Sequence, residues 1–209
     1  MPVTINGDGS ITGLSAGGLP AGTVTDATIT GMAASKLTGN LPAISGASLT
    51  GLSAGVTQAD QWRLSNGYNI NSGSSEANSY WERNDTMYAK IGTGMSESSG
   101  VFTFPVTGIW QIEFNVMYES DTANYLGGSI NGSTDSFSSS NQVLVNTYNC
   151  NGKGANSYTS VYMKAFFDCT NVSTHKVKFR HINSHGAYVQ HGSSATQLTG
   201  ATFIKLGDT

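Results

Sequence analysis

The most regular feature of the chain is an alternation of apolar and polar residues between positions 110 and 118. One side of this stretch carries Trp110, Ile112, Phe114, Val116 and Tyr118, whereas Gln111, Glu113 and Asn115 occupy the other. Because successive side chains of a β-strand point to opposite faces, a period of two is typical of a strand with one face in a core. The pattern therefore predicts a half-buried strand.

Shorter stretches of similar character run from residue 57 onward. Residues 100–105 predict a strand just before the long one, and Pro105 and Gly108 predict a turn that joins the two as a hairpin. The other predicted strands are 60–64, 86–91, 124–130, 142–148, 157–167, 173–182, 187–190 and 201–206. Many short strands separated by turns favour an all-β antiparallel sandwich or jelly roll with almost no helix.

The last predicted strand carries apolar residues on both of its faces. A strand of that kind favours one face on the core and the other on a partner chain. We therefore predict an interface between copies of this chain at Phe203, Ile204 and Leu206.

Residues 1–56 differ in composition from the rest of the chain. They contain no aromatic residue, and a short apolar-Thr-Gly motif recurs at residues 11–13, 29–31, 37–39 and 49–51. Such a Gly-rich segment fits a flexible linker. It also fits an extended trimeric stem, in which three copies share a threefold axis and bury together what one copy cannot. The sequence thus predicts a stem over residues 1–56 and a head over residues 57–209.

Charge narrows the range of partners. Charged residues make up 11% of the chain, and the formal net charge is −3. This balance disfavours nucleic acid and a polybasic membrane contact. The sequence shows no signal-peptide pattern and no apolar run of membrane-spanning length, so we expect synthesis in a cytoplasm without signal-directed export or membrane insertion.

Candidate binding residues fall into two groups. Lys176, Lys178 and Arg180 alternate with apolar residues, so they should share the outward face of one strand. They fit an anionic glycan or a phosphate, and equally a solvated face. Aromatic residues in or beside polar loops offer adaptable contacts for sugars, although ordinary loops carry them too. These aromatic residues are Phe137, Tyr148, Tyr158 and Tyr188.

Residues suited to catalysis or metal binding form no recognisable motif. Because no carboxylate pair, nucleophile or Cys/His arrangement stands out, we predict a protein that is not an enzyme and has no catalytic, cofactor or metal site. Four histidines crowd one region, which permits a metal at a threefold axis but also fits the rims of strands and loops. They are His175, His181, His185 and His191. Cys150 and Cys169 leave a disulfide or two free thiols open.

Two stretches carry a resemblance to a known superfamily. Residues 100–110, Gly-Val-Phe-Thr-Phe-Pro-Val-Thr-Gly-Ile-Trp, resemble the signature hairpin of C1q/TNF-like proteins. Residues 198–206, Leu-Thr-Gly-Ala-Thr-Phe-Ile-Lys-Leu, look like the closing strand of that superfamily. The resemblance implies a C1q/TNF-like jelly roll over about residues 57–209, assembled as a trimer through an aromatic-rich surface along the threefold axis.

The N-terminal segment resembles a different group of proteins. Residues 11–22, ITGLSAGGLPAG, and residues 37–51, LTGNLPAISGASLTG, are similar to strings in fibre and structural proteins of tailed phages. The combination implies a homotrimeric appendage on the virion surface, such as a tail fibre. Its stem would contact other virion proteins, and its head would bind a glycan or protein on a host cell. A capsid head fibre, a decoration protein and a cellular C1q-like adhesin or lectin are the alternatives.

Overall fold

The structure is a computed structural model that describes residues 4–5, 7–8, 11–12, 55–85, 87–150, 154, 157–185 and 188–209. The chain forms two compact units, Met1–Gly51 and Leu52–Thr209. In the first unit, the described residues form the antiparallel strands β1 (Thr4–Ile5) and β2 (Ile11–Thr12). Apart from residues 7–8 and 55–56, the rest of the predicted stem lies outside the described residues, so the stem and its boundary at residue 56 stay predictions.

The second unit is built from β-strands. They are β3 (Ala59–Leu64), β4 (Asn66–Ile70), β5 (Gly73–Glu76), β6 (Trp81–Arg83), β7 (Ser96–Ser98), β8 (Val101–Thr103), β9 (Gly108–Glu119), β10 (Tyr125–Ser133), β11 (Gln142–Cys150), β12 (Tyr158–Cys169), β13 (Lys176–Asn183), β14 (Tyr188–Ser193) and β15 (Gly200–Gly207). No helix occurs in the described ranges, which confirms the all-β prediction for them. A membrane-crossing helix is accordingly not found in those ranges.

The strands of this unit form two antiparallel sheets. The first, here called the β9 sheet, has the order β4-β14-β9-β15-β3-β6, and β12 pairs with the opposite edge of β9. The second, called the β10 sheet, has the order β11-β10-β13-β8-β7, and β5 also pairs with β13. From β8 onward the chain changes sheet after β8, β9, β11, β12 and β13, which is the connectivity of a jelly roll.

The predicted hairpin between residues 100–105 and the long strand is wrong. β8 pairs with β7 and β13 in the β10 sheet, whereas β9 belongs to the other sheet. Residues 105–107 therefore carry the chain from one sheet to the other. Gly108 then enters β9 with a φ of 141°, and a Cβ at this position would lie 2.5 Å from the carbonyl oxygen of Gly207. Both facts require glycine there.

Most of the other predicted strands are present with shifted ends. The alternation in β9 is confirmed, since its apolar side chains from Trp110 to Tyr118 are at most 1% exposed. Residues 87–90 of the predicted strand 86–91 are not in a strand, and Ile91 forms only an isolated bridge to Ala59. The sequence did not predict β4, β5, β6 and β7, because these strands are short and mostly polar.

Aromatic rings join the two sheets. Phe114 of β9 stacks on Phe179 of β13 with ring centroids 4.6 Å apart. Phe102 of β8 packs against Phe179 at 5.4 Å and against Phe203 of β15 at 5.1 Å. All four side chains are fully buried. Aromatic pairs of this kind add about 0.5–1.5 kcal/mol each beyond the burial of their area, so they anchor the core.

The position of Phe203 corrects part of the predicted interface between copies. Its side chain has no exposed surface and faces Phe102 inside the core. Because side chains alternate along a strand, Ile204 lies on the opposite, outward face of β15. Leu206 is 55% exposed. An interface on this strand can therefore use Ile204 and Leu206, but not the Phe203 side chain.

Two glycines of β10 allow β12 to pack closely on the β10 sheet. A Cβ on Gly128 would lie 2.7 Å from the Cε of Met163, and a Cβ on Gly132 would lie 2.7 Å from the Cε2 of Phe167. Both glycines stand opposite inward-facing residues of β13. Side chains from β12 therefore occupy the space that a larger residue in β10 would need.

Gly132→Ala is expected to lower the free energy of unfolding by about 1–3 kcal/mol, because the added methyl group must displace the Phe167 ring. Gly207→Ala is the matched control, since its Cβ would meet nothing within 4 Å, and it should change stability by less than about 0.5 kcal/mol. Urea denaturation of both variants measures the difference. Equal values would contradict a tight fit between the sheets at Gly132.

Candidate functional site

Two charged residues of β3 are buried and fully engaged in hydrogen bonds. The Asp60 carboxylate accepts hydrogen bonds from the Arg83 guanidinium at 3.0 Å and from the Met95 amide at 2.7 Å. The Arg63 guanidinium pairs with Glu82 at 2.7 Å. Buried charges are stable only when they are compensated in this way. The cluster therefore holds β3, β6 and the segment before β7 together, and its role is structural.

His181 lies fully buried between two tyrosines. The Tyr118 hydroxyl donates to the Gly127 carbonyl at 2.6 Å, so its oxygen accepts from Nδ1 of His181 at 3.1 Å. The Tyr68 hydroxyl lies 2.9 Å from Nε2. A neutral ring with its proton on Nδ1 accepts a hydrogen bond from the Tyr68 hydroxyl at Nε2. Burial also lowers the pKa of His181 to about 3, so the residue is neutral under ordinary conditions.

The other histidines make separate contacts. His175 and His185 contact hydroxyl groups of neighbouring Thr and Ser residues, and Nε2 of His191 lies 3.1 Å from a carboxylate oxygen of Glu119. Within the described ranges, no group of three or more His, Cys, Asp or Glu side chains is arranged to hold a metal ion. Both cysteines are free thiols, and burial raises the pKa of Cys169 to about 11.

The predicted basic residues lie on the outward face of β13. Lys176, Lys178 and Arg180 alternate there with buried residues, and β13 is an inner strand of the β10 sheet. Lys176 donates to a backbone carbonyl at 2.9 Å. Lys178 is hydrogen-bonded to Glu76 and lies 4.3 Å from the centroid of the Phe137 ring. Arg180 is the member of the three that has no hydrogen bond or ion pair with a described residue.

Two exposed tyrosine rings form a corner on the same face of the β10 sheet. The rings of Tyr125 in β10 and Tyr148 in β11 have centroids 5.5 Å apart and planes at 87°. Among the described residues, these two line an open surface depression of about 310 Å³. A Cβ on Gly127 would lie 2.8 Å from Cδ1 of Tyr148, and Nδ2 of Asn146 donates to the Tyr148 hydroxyl at 2.8 Å. The Tyr148 ring therefore packs over Gly127, and its hydroxyl is held by the hydrogen bond from Asn146.

The predicted aromatic contact residues divide between the two sheets. Phe137 and Tyr148 belong to the face of the β10 sheet that carries the basic residues. Tyr158 lies on β12 in the other sheet, with its ring 5.4 Å from that of His191. Tyr188 begins β14, and its side chain lies outside the described residues. The sequence did not predict Tyr125, because one tyrosine at the end of a Gly-rich strand gives no distinguishing signal.

The outward face of β12 carries a second aromatic surface. Tyr158, Tyr162 and Phe166 occupy every fourth position and are 52%, 56% and 61% exposed. They stand opposite polar residues of β9. In the described part of the chain, β12 pairs only with β9, so this surface lies at the edge of the β9 sheet. We call these three residues the β12 aromatic row.

No protein-family model and no curated protein matches the sequence. Solved structures do resemble the fold. Murine APRIL at pH 8.5 aligns with a TM-score of 0.51 and 15% identity, over 71% of this chain and 98% of APRIL. Eiger TNF from S. frugiperda aligns with a TM-score of 0.56 and 11% identity, over 72% of this chain and 93% of Eiger. PRD1 vertex protein P5 aligns more loosely, with a TM-score of 0.47 and 20% identity over 73% of this chain and 99% of P5.

The likenesses to APRIL and Eiger show that the head is a TNF-like antiparallel jelly roll. This confirms the fold class predicted for the head. At such low identities the likeness concerns the fold alone, and the alignment with P5 is too loose to add to it.

The buried, neutral His181 should make the stability of the head depend on pH. The unfolded chain takes up a proton near pH 6.5, whereas the folded chain does so only near pH 3. The stabilising difference is therefore complete above pH 6.5 and is lost as the pH falls toward 3, at up to about 1.4 kcal/mol per pH unit.

Unfolding measured between about pH 7 and about pH 5, above the range in which ordinary carboxylates titrate, should show this slope. His181→Gln keeps a polar side chain that does not titrate, and it should give a flatter dependence over the same window. A wild-type curve as flat as that of the variant would contradict the assignment of His181 as neutral.

Proposed function

We propose that the chain is a homotrimeric structural appendage of a phage particle, of the tail-fibre type, whose TNF-like head binds a host cell surface without chemical conversion. The observation that carries the proposal is the presence of exposed aromatic residues on the outward faces of both sheets. One surface is the β12 aromatic row, and the other is the corner formed by Tyr125 and Tyr148. One serves assembly, and the other remains open for attachment.

The similarity of residues 11–22 and 37–51 to phage fibre strings supports the particle as the location of the chain. In this proposal the N-terminal segment contacts other virion proteins, and the head binds the host cell surface. The low net charge of −3 also fits a protein that binds neither nucleic acid nor an anionic membrane.

The β12 aromatic row supports assembly through the β9 sheet. It extends over eight residue steps, which corresponds to about 27 Å of strand. The three rings alternate with the exposed Ser160 and Lys164 on the same face, so a contact there combines apolar and polar groups. Exposed aromatic side chains concentrated on one strand mark contact surfaces on soluble domains, and burying each ring contributes about 1.5–3 kcal/mol. Polar residues of β9 beside the row, such as Gln111 and Asn115, suit the rim of such a contact. We propose that three copies meet there around a threefold axis.

Phe166→Asp is expected to convert the trimer into a monomer, because it places a charge in a buried apolar contact, at one end of the β12 aromatic row. Met87→Asp is the matched control, since Met87 is fully exposed in the loop after β6, a strand that β9, β15 and β3 separate from β12, and it should remain trimeric. Light scattering after size exclusion gives the mass of each variant. A monomeric wild-type chain, or a trimer that tolerates Phe166→Asp, would contradict the proposed interface.

Attachment to the host is tested with whole phage. Purified protein in excess should slow adsorption of the phage to host cells, because it occupies the sites that the particle uses. Imaging of the intact particle should place the chain on the tail. Density on the capsid together with unchanged adsorption would instead identify a head fibre or a decoration protein.

A further inference from the structure

Arg180 is an uncompensated cation on the outward face of the β10 sheet. Its guanidinium makes no hydrogen bond or ion pair with a described residue, and its Nε is buried without an acceptor. Glu76 stands opposite Arg180 in the pairing of β5 with β13, but Glu76 is bound to Lys178. The positive charge of Arg180 is therefore available to an external anion.

The tyrosine corner lies close to Arg180 on the same face. Arg180, Ser129 and Asn146 stand opposite one another on β13, β10 and β11. Gly127 and Tyr148 belong to the next row of outward positions. With strands about 4.8 Å apart and residues on one face about 7 Å apart along a strand, the Cα atoms of Arg180 and Tyr148 are separated by about 12 Å. Two linked sugar rings span such a distance.

The chemistry of this face suits an anionic sugar. The rings of Tyr125 and Tyr148, with their planes at 87°, give two apolar surfaces against which the flat side of a pyranose can pack. The Asn146 amide and the tyrosine hydroxyls supply polar contacts at the edge of these surfaces. The planar guanidinium of arginine matches the two oxygens of a carboxylate or phosphate. The face thus combines a stacking surface with one fixed charge.

We infer that the outward face of the β10 sheet is a binding site for two linked pyranoses of an anionic cell-surface glycan. One sugar ring packs in the corner of Tyr125 and Tyr148, and the carboxylate or phosphate of the neighbouring sugar pairs with Arg180. The inference rests on the proposed attachment function and names the class of its ligand. The site belongs to the β10 sheet, whereas the β12 aromatic row belongs to the β9 sheet.

The first experiment measures binding of the purified full chain to three immobilised polymers: polygalacturonate, which carries carboxylates; phosphomannan, which carries phosphates; and neutral dextran. The wild type should bind at least one anionic polymer about tenfold or more tightly than dextran, which is the factor expected for one charge-assisted contact. The anionic polymer that binds identifies the anion. Equal binding to all three polymers, or no binding to any, would overturn the inference.

Variants locate the site. Arg180→Gln should remove the roughly tenfold preference for the anionic polymer. Arg180→Lys should retain part of this preference, because lysine keeps the positive charge but lacks the planar guanidinium group. Tyr148→Ala should weaken binding to every polymer. Lys90→Gln, with the same change of charge in another loop, and Val143→Ala, on the same strand as Tyr148, should bind as the wild type does. Melting curves verify that each variant is folded.

Competition for adsorption to host cells separates this inference from the proposed function. If the wild type competes and the Arg180→Gln and Tyr148→Ala variants compete equally well, attachment stands and this site is wrong. If the wild type binds an anionic polymer through Arg180 and Tyr148 but does not compete on cells, the sugar site stands and the attachment function is wrong.

Discussion

The stacking of Phe114 on Phe179 determines which side of each sheet faces inward. Phe114 belongs to β9 and Phe179 to β13, so one contact fixes the orientation of the central strand of both sheets. Strict alternation then places Lys178 and Arg180 on the outside of one sheet and the polar residues of β9 on the outside of the other. Both candidate surfaces follow from this arrangement of the core.

The long β9 strand could be predicted from sequence, because five apolar side chains recur at every second position from Trp110 to Tyr118. The same reasoning failed where an alternation has apolar residues on both sides. The pattern of β15 does not indicate which face of the strand lies on the core. The interface predicted from it therefore included Phe203, whose side chain is buried in the core. Residues 86–91 have the composition of a strand, but Met87 is fully exposed. The prediction failed there because local sequence alone cannot show whether a partner strand is present.

The candidate sites show a similar limit. The basic residues of β13 were predicted from local alternation, but their different states depend on residues distant in sequence. Glu76 and Phe137 engage Lys178, and this leaves Arg180 without a partner among the described residues. Tyr125 and Tyr148 meet only because β10 and β11 pair in one particular register. A pattern within one segment cannot reveal such a combination.

The position of β15 has a consequence for how the head is made. This strand lies between β9 and β3 and pairs with residues 59–64, which are synthesised long before it. Pairing over such a sequence separation requires a long loop to close, which slows folding. Until β15 leaves the ribosome, the facing edges of β3 and β9 lack their shared partner, and unpaired edges of this kind promote association between nascent chains. Folding of the head is therefore a late event that involves the whole domain, and translation that stops within β15 removes a central strand of the sheet.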